Sequence, residues 1–172
     1  MPTAALPTSN PHYEQARTAT PLPQDVSEGT VEAARTSLPV GKKGETTSGW
    51  IMDEGNKGQP VRSGIGKEGT PERQAYQQSL DHLQSLGPRY EKFLPLAHHA
   101  EVKVAVNALL SGQPDHQVMV IDRPVCGRFP PRLNNRRYCD ELLQELYRDT
   151  PKTLTVVERD GQRVTYPKKD AR

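Results

Sequence analysis

The chain has 172 residues, 33% of them hydrophobic, with 16 prolines, two cysteines and a formal charge of +2. That is room for one ordinary domain plus a tail, and too polar for the whole length to pack as one body. Two cysteines argue against a disulfide-rich secreted scaffold, no apolar run reaches the length of a membrane span, and the near-neutral balance leaves any nucleic-acid argument to local basic clusters.

Met1–Asn10 has neither the basic start nor the apolar run of a secretory signal. Residues 1–45 are rich in Pro, Thr, Ser and Ala and poor in large apolar residues, which predicts a disordered leader or linker, with at most a short helical turn over Val31–Arg35. The pattern changes at Thr46, where the domain spanning 46–172 is expected to begin. Thr47–Met52 reads as a strand, Glu54–Gly58 as a turn and Gln59–Ile65 as a second strand. Thr70-Pro71-Glu72 marks a helix start, with Thr70 as cap and proline in the first turn; the helix stops near Gly87-Pro88. A second helix is expected from about His98 to Ser111-Gly112. Gln117–Ile121, short and mostly apolar, reads as a buried central strand. Tyr138–Tyr147 carries Leu142, Leu143, Leu146 and Tyr147 at helical spacing. Thr153–Val157 and Arg163–Tyr166 read as strands joined by a tight Asp160-Gly161 turn. The order predicts an α/β fold, a mixed sheet with helices packed on it.

The chemistry-bearing residues fall at the ends of these elements. His99-Ala100-Glu101 opens the second helix, Cys126 follows the central strand, and Cys139 opens the third helix. Catalytic zinc takes three protein ligands and leaves one position open, which one His and two Cys thiolates satisfy. Helix N-termini favour thiolate over thiol. Glu101 stands two residues beyond the His, placed to move protons beside a metal without binding it. His-x-Glu alone is a weak signal; its order with the strand and both cysteines is what gives it weight. The competing readings are two small buried cysteines beside a surface His, or a closed structural zinc site with His98 or His116 as fourth ligand.

Residues 127–138, between the cysteines, hold Arg128, Phe129, Arg132, Arg136, Arg137 and Tyr138. Arginines contact phosphates and aromatics support unstacked bases, so this loop is the expected nucleic-acid surface. Lys42-Lys43 and Lys168-Lys169 are read as solvated charges or weak phosphate contacts, and Trp50 as core.

From Thr46 to Pro167 the chain resembles the DddA-like bacterial toxin cytosine deaminases of the cytidine-deaminase superfamily. The resemblance rests on Thr47-Ser48-Gly49, Ser63-Gly64, His99-Ala100-Glu101-Val102-Lys103, Val120-Ile121, Cys126-Gly127, Tyr138-Cys139 and Thr153–Val156. It implies a five-stranded sheet with helices on both faces, one zinc, and conversion of cytosine to uracil in DNA, single- or double-stranded. It implies a toxin warhead acting in a bacterial cytoplasm after delivery, an immunity protein as partner, and Tyr138 as the aromatic that wedges into a duplex. The chain itself is expected to be a monomer with no membrane contact. One departure is plain: the family commonly places two residues between its cysteines, whereas here residues 127–138 intervene. A nucleoside deaminase acting on free cytidine, or a zinc-stabilised nucleic-acid-binding module without catalysis, are the alternative functions.

Overall fold

The computed structural model describes residues 22–23, 26–42, 44–53, 56–112, 115–129, 133 and 136–169. Its elements are α1 (Glu28–Ser37), β1 (Ser48–Asp53), β2 (Asn56–Arg62), α2 (Pro71–Ser85), a 3₁₀ helix (Pro88–Leu96), α3 (Ala100–Ser111), β3 (His116–Ile121), α4 (Cys139–Tyr147), β4 (Thr153–Val157) and β5 (Arg163–Tyr166). One five-stranded sheet runs in the order β2-β1-β3-β4-β5. Within it β3 and β4 are parallel, joined by the crossover through α4; the other neighbours are antiparallel. The expected mixed sheet with helices on both faces is observed.

The run Gln117–Ile121 holds the centre because both of its faces are covered. Met119 and Ile121 point into the larger core with Leu83, Phe93, Val102, Leu142, Leu146 and Leu154. Val118 and Val120 point the other way, into a second cluster. Side-chain alternation along a strand makes a continuous apolar run the mark of a sheet packed on two sides. Local signals fix the helix ends. Thr70 Oγ1 accepts the N–H of Arg73, and Gly112 closes α3 in the left-handed region at φ 71°.

The second face is covered by α1. Val26, Val31, Ala34 and Leu38 are buried against Met52, Val118, Val120 and Val157. Ser27 caps this helix by accepting from Thr30 N. Arg163 pairs with Glu28, one of its bonds spanning 2.8 Å, and Arg159 Nε donates to Leu38 O at 2.8 Å. The packed body therefore extends upstream of the expected start at Thr46. The apolar residues of α1 are too few to stand out within a polar segment, but they meet a sheet face that needs cover. The expected disorder of residues 1–21 lies outside the described residues. A second addition is the 3₁₀ helix, where sequence signals gave only a break at Gly87-Pro88. No helix among the described residues is long and apolar enough to cross a membrane.

Val31 is 2% exposed. Truncating it to Ala removes about two methylene equivalents from the second cluster and should cost about 2 kcal/mol. Urea unfolding of Val31→Ala beside the parent chain measures this; an unchanged midpoint would mean that α1 contributes nothing to the fold.

Candidate metal centre

Three element ends converge. His99 is the N-cap residue of α3, with extended backbone at φ −71° and ψ 141° and its carbonyl accepting from Lys103 N. Cys126 lies in the loop after β3, and Cys139 is the first residue of α4. Ligand atoms of His99, Cys126 and Cys139 all lie within 4.8 Å of one another. Cys139 Sγ is 3.1 Å from His99 Nδ1, and Cys126 Sγ accepts the Cys139 N–H at 2.9 Å. Neither His98 nor His116 joins this group. The His98 ring stacks edge-on against His99 at 4.6 Å, and His116 Nδ1 meets Thr153 Oγ1 at 2.6 Å at the far end of β3.

The electrostatics show a donor set crowded with acidic groups. The Cys126 thiol is lowered to about 5, chiefly by its side-chain hydrogen bond with Cys139, against an opposing effect of burial and with further help from His99 and the Cys139 N–H. Burial pushes the Cys139 thiol well up, as do its hydrogen bond with Cys126 and the nearby charges of Glu101, Cys126 and Asp140. For His99, burial acts downward but the bond to Cys126 and its charge outweigh it, and the imidazole is raised. Glu101 is 2% exposed, and its Oε2 has no hydrogen-bond partner among the described residues. Burial, and next the Cys126 charge, raise its carboxyl to about 7. Two sulfurs, an imidazole and a carboxyl that hold one another's protons are the donor chemistry a divalent cation satisfies. This α/β domain thus carries a His/Cys/Cys group fit to bind a metal such as zinc.

The surroundings hold the group in register. Asp140 N donates to Cys126 O at 3.1 Å. The Asp140 carboxyl is buried, accepting from Tyr166 Oη at 2.7 Å and from Lys168 Nζ at 2.8 Å. Lys103, also buried, donates to the carbonyls of Arg62 and Gly64, and Gly64 N donates to His98 O at 2.8 Å. These contacts tie the open end of the β1–β2 hairpin to the start of α3. Gly127 has φ 83°, and a Cβ there would fall 2.2 Å from Tyr138 Cβ, so only glycine lets the two ends of the inter-cysteine loop meet.

The loop residues divide. Phe129 is 47% exposed, Arg136 and Arg137 face solvent, and Arg137 pairs loosely with Glu141 at 3.9 Å. Tyr138 is half-buried and its hydroxyl accepts the N–H of Leu133 at 2.8 Å. Arg128 is turned inward, 2.9 Å from the buried Glu158 carboxyl. Arg132 lies outside the described residues. Trp50 packs against the α1 cluster, which agrees with its reading as core. Sequence reasoning missed Asp140, Tyr166, Lys103 and Glu158, and read Lys168 as a solvated charge or weak phosphate contact where it instead pairs with Asp140. Asp140 had a usable signal, an acid in a helix's first turn; the others had none. No family model, curated protein or solved structure matches the chain.

A thiol lowered to about 5 becomes thiolate as pH rises through that value and reacts no faster above it. In chelator-treated protein, iodoacetamide should label Cys126 at a rate already level at neutral pH, spare the buried Cys139, and be blocked by added zinc. Mass spectrometry across a pH series checks this; a Cys126 rate still climbing between about pH 8 and 9 would contradict the assignment, since that is the ordinary thiol range.

Proposed function

We propose that this chain is a zinc-dependent deaminase converting cytosine to uracil in nucleic acid, with DNA as the substrate. The observation that carries the reading is Glu101: a carboxyl buried beside the His99, Cys126 and Cys139 donors, with one oxygen that has no hydrogen-bond partner among the described residues. An unpartnered buried carboxyl is costly, and such groups concentrate where a reaction uses them. His99, Cys126 and Cys139 would hold the zinc. When bound, zinc supplies the Lewis acidity that makes a water nucleophilic near neutral pH.

Glu101 does the proton work. Its Oε2 accepts a proton from the water that adds to C4 of cytosine and passes it to the ring N3. The hydroxyl now on C4 gives its remaining proton to the same oxygen, which delivers it to the amino group; the C4–N4 bond breaks, ammonia leaves and C4 becomes the carbonyl of uracil. Burial by itself pushes this carboxyl upward, toward the range in which a group can both take and return a proton. His-x-Glu with two cysteine ligands is the arrangement used by zinc deaminases as a class.

A polymeric substrate is favoured by the exposed rim beside the donors. Phe129 offers a stacking face, and Arg136 and Arg137 offer solvent-facing guanidinium groups. A free nucleoside has no phosphate for them to contact. Acting in a bacterial cytoplasm, such an enzyme would be mutagenic, which agrees with the toxin role and the immunity partner that the family resemblance implies.

Glu101→Ala should keep its zinc and fold and lose at least about 100-fold, towards 10,000-fold, in turnover, the usual contribution of general acid–base transfer. The measurement pairs zinc content and melting temperature with deamination of cytosine in single-stranded and duplex DNA, matched RNA and free cytidine. An active Glu101→Ala protein would sink the catalytic role, and turnover of cytidine alone would make the enzyme a nucleoside deaminase.

Replacing Arg136 and Arg137 by Ala should weaken oligonucleotide binding and flatten its dependence on salt, by roughly one log–log unit for each phosphate that is no longer neutralised. A salt titration of binding reads this directly, and an unchanged slope would remove both residues from the interface.

A further inference from the structure

Glu158 follows β4, and its side chain is wholly buried. Val156 and Val157 just before it are plain core. A buried carboxyl at that position is unfavourable unless something there uses it. What it touches is the loop that carries Cys126. Glu158 Oε1 accepts the N–H of Val125, the residue before Cys126, at 2.9 Å. The same oxygen lies 2.9 Å from Nε of Arg128, two residues after Cys126. Arg128 Nη2 then donates to Gln162 Oε1 at 2.6 Å, across the turn that joins β4 to β5. The guanidinium also lies over the Phe129 ring at 4.8 Å, and its side chain is only 15% exposed. An arginine that reads phosphates presents its donor fork to solvent; this one turns inward, with Nη2 bonded to Gln162 and its charge beside the Glu158 carboxyl.

Cys126 itself belongs to no helix or strand, and a metal ligand on a loop depends on outer partners to keep its atom in place. The α4 side of the site supplies one such partner, the Cys139 N–H on Cys126 Sγ. The β4 side supplies the other, gripping the chain on both sides of the cysteine. We propose that Glu158 and Arg128 form a clamp that positions Cys126 as a metal ligand, and that Arg128 belongs to this clamp and not to the nucleic-acid surface. The proposal rests on the reading of His99, Cys126 and Cys139 as a metal site.

The test uses the full chain, stripped with a chelator and titrated with Zn²⁺ against a chromophoric competitor. Co²⁺ is loaded in parallel and its visible ligand-field bands recorded. The variants are Glu158→Gln, Arg128→Met, the double variant, and Glu28→Gln as a control. The control weakens a different ion pair, the one with Arg163 that holds α1 on the opposite face. Melting curves confirm that each protein is folded at the titration temperature.

Glu158→Gln and Arg128→Met should each weaken Zn²⁺ binding by about 10- to 100-fold, the usual effect of losing an outer-sphere partner. Each should also shift the Co²⁺ bands. The double variant should bind about as well as the weaker single one, because both changes break one device. Glu28→Gln should lower the melting temperature and leave both metal readouts at parent values, which separates positioning from general stability. Arg128→Met should also leave the salt slope of oligonucleotide binding unchanged. Parent-like zinc affinity and Co²⁺ bands in Glu158→Gln and Arg128→Met would overturn the clamp while leaving the metal site standing. If Glu158→Gln does not fold, Arg128→Met decides the matter alone, reading the clamp from its more exposed side. A parent chain that takes up no Zn²⁺ would overturn the metal reading, and the clamp with it.

Discussion

The contact on which the rest of this molecule depends is the hydrogen bond from the Cys139 N–H to Cys126 Sγ. An α-helix begins with backbone N–H groups that have no partner within the helix, and a side chain at the cap position commonly accepts one of them. In α4 the cap residue is Tyr138, whose side chain makes no such bond. A sulfur from a distant loop takes that place, and the Cys126 carbonyl accepts the next N–H, from Asp140. One residue therefore satisfies the start of the helix that carries the chain from β3 to the parallel β4. The crossover and the donor cluster share a single joint. A change that loosens one must loosen the other.

The same joint explains the charge state of the cluster. Both α3 and α4 begin at the site, His99 capping one and Cys139 opening the other. Their positive ends face the sulfurs and the Glu101 carboxyl, where negative charge is wanted. Cys126 takes that charge and is lowered, while Cys139 and Glu101, buried and next to it, are raised. Burial divides the three: the partly exposed sulfur bears charge most readily, and the fully buried thiol and carboxyl do so less readily.

Much of this was legible in the sequence because the marks lie at element ends. Thr70-Pro71, Gly112 and Asp160-Gly161 are local punctuation, and local punctuation survives folding. His99, Cys126 and Cys139 could be grouped because each sits beside such a boundary. Helix α1 was legible only as a short turn over Val31–Arg35. Val26, Val31, Ala34 and Leu38 are sparse among polar residues, and what makes them core is a sheet face formed by Val118, Val120 and Val157, far along the chain. The 3₁₀ segment, with Pro95 inside it, gives no helical periodicity to read. Arg128 stands in an arginine-rich loop, and composition assigned it to the surface. Its partner Glu158 lies just past another strand, and no local pattern reports an ion pair between residues that meet only after the sheet forms.

The close approach of Gly127 to Tyr138 has a consequence for how such a protein can change over time. The chain leaves the first cysteine and returns to the second through a neck closed by these two residues and braced by the Leu133–Tyr138 bond. This neck, and not the number of residues between the cysteines, sets how far apart the two ends of the segment lie. A change in the number of residues beyond Phe129 would therefore leave the two cysteines at the same separation, whereas Arg128, held against Glu158, is fixed to the donor side. The segment between the two cysteines is thus free to vary in length, while the neck and Arg128 are not.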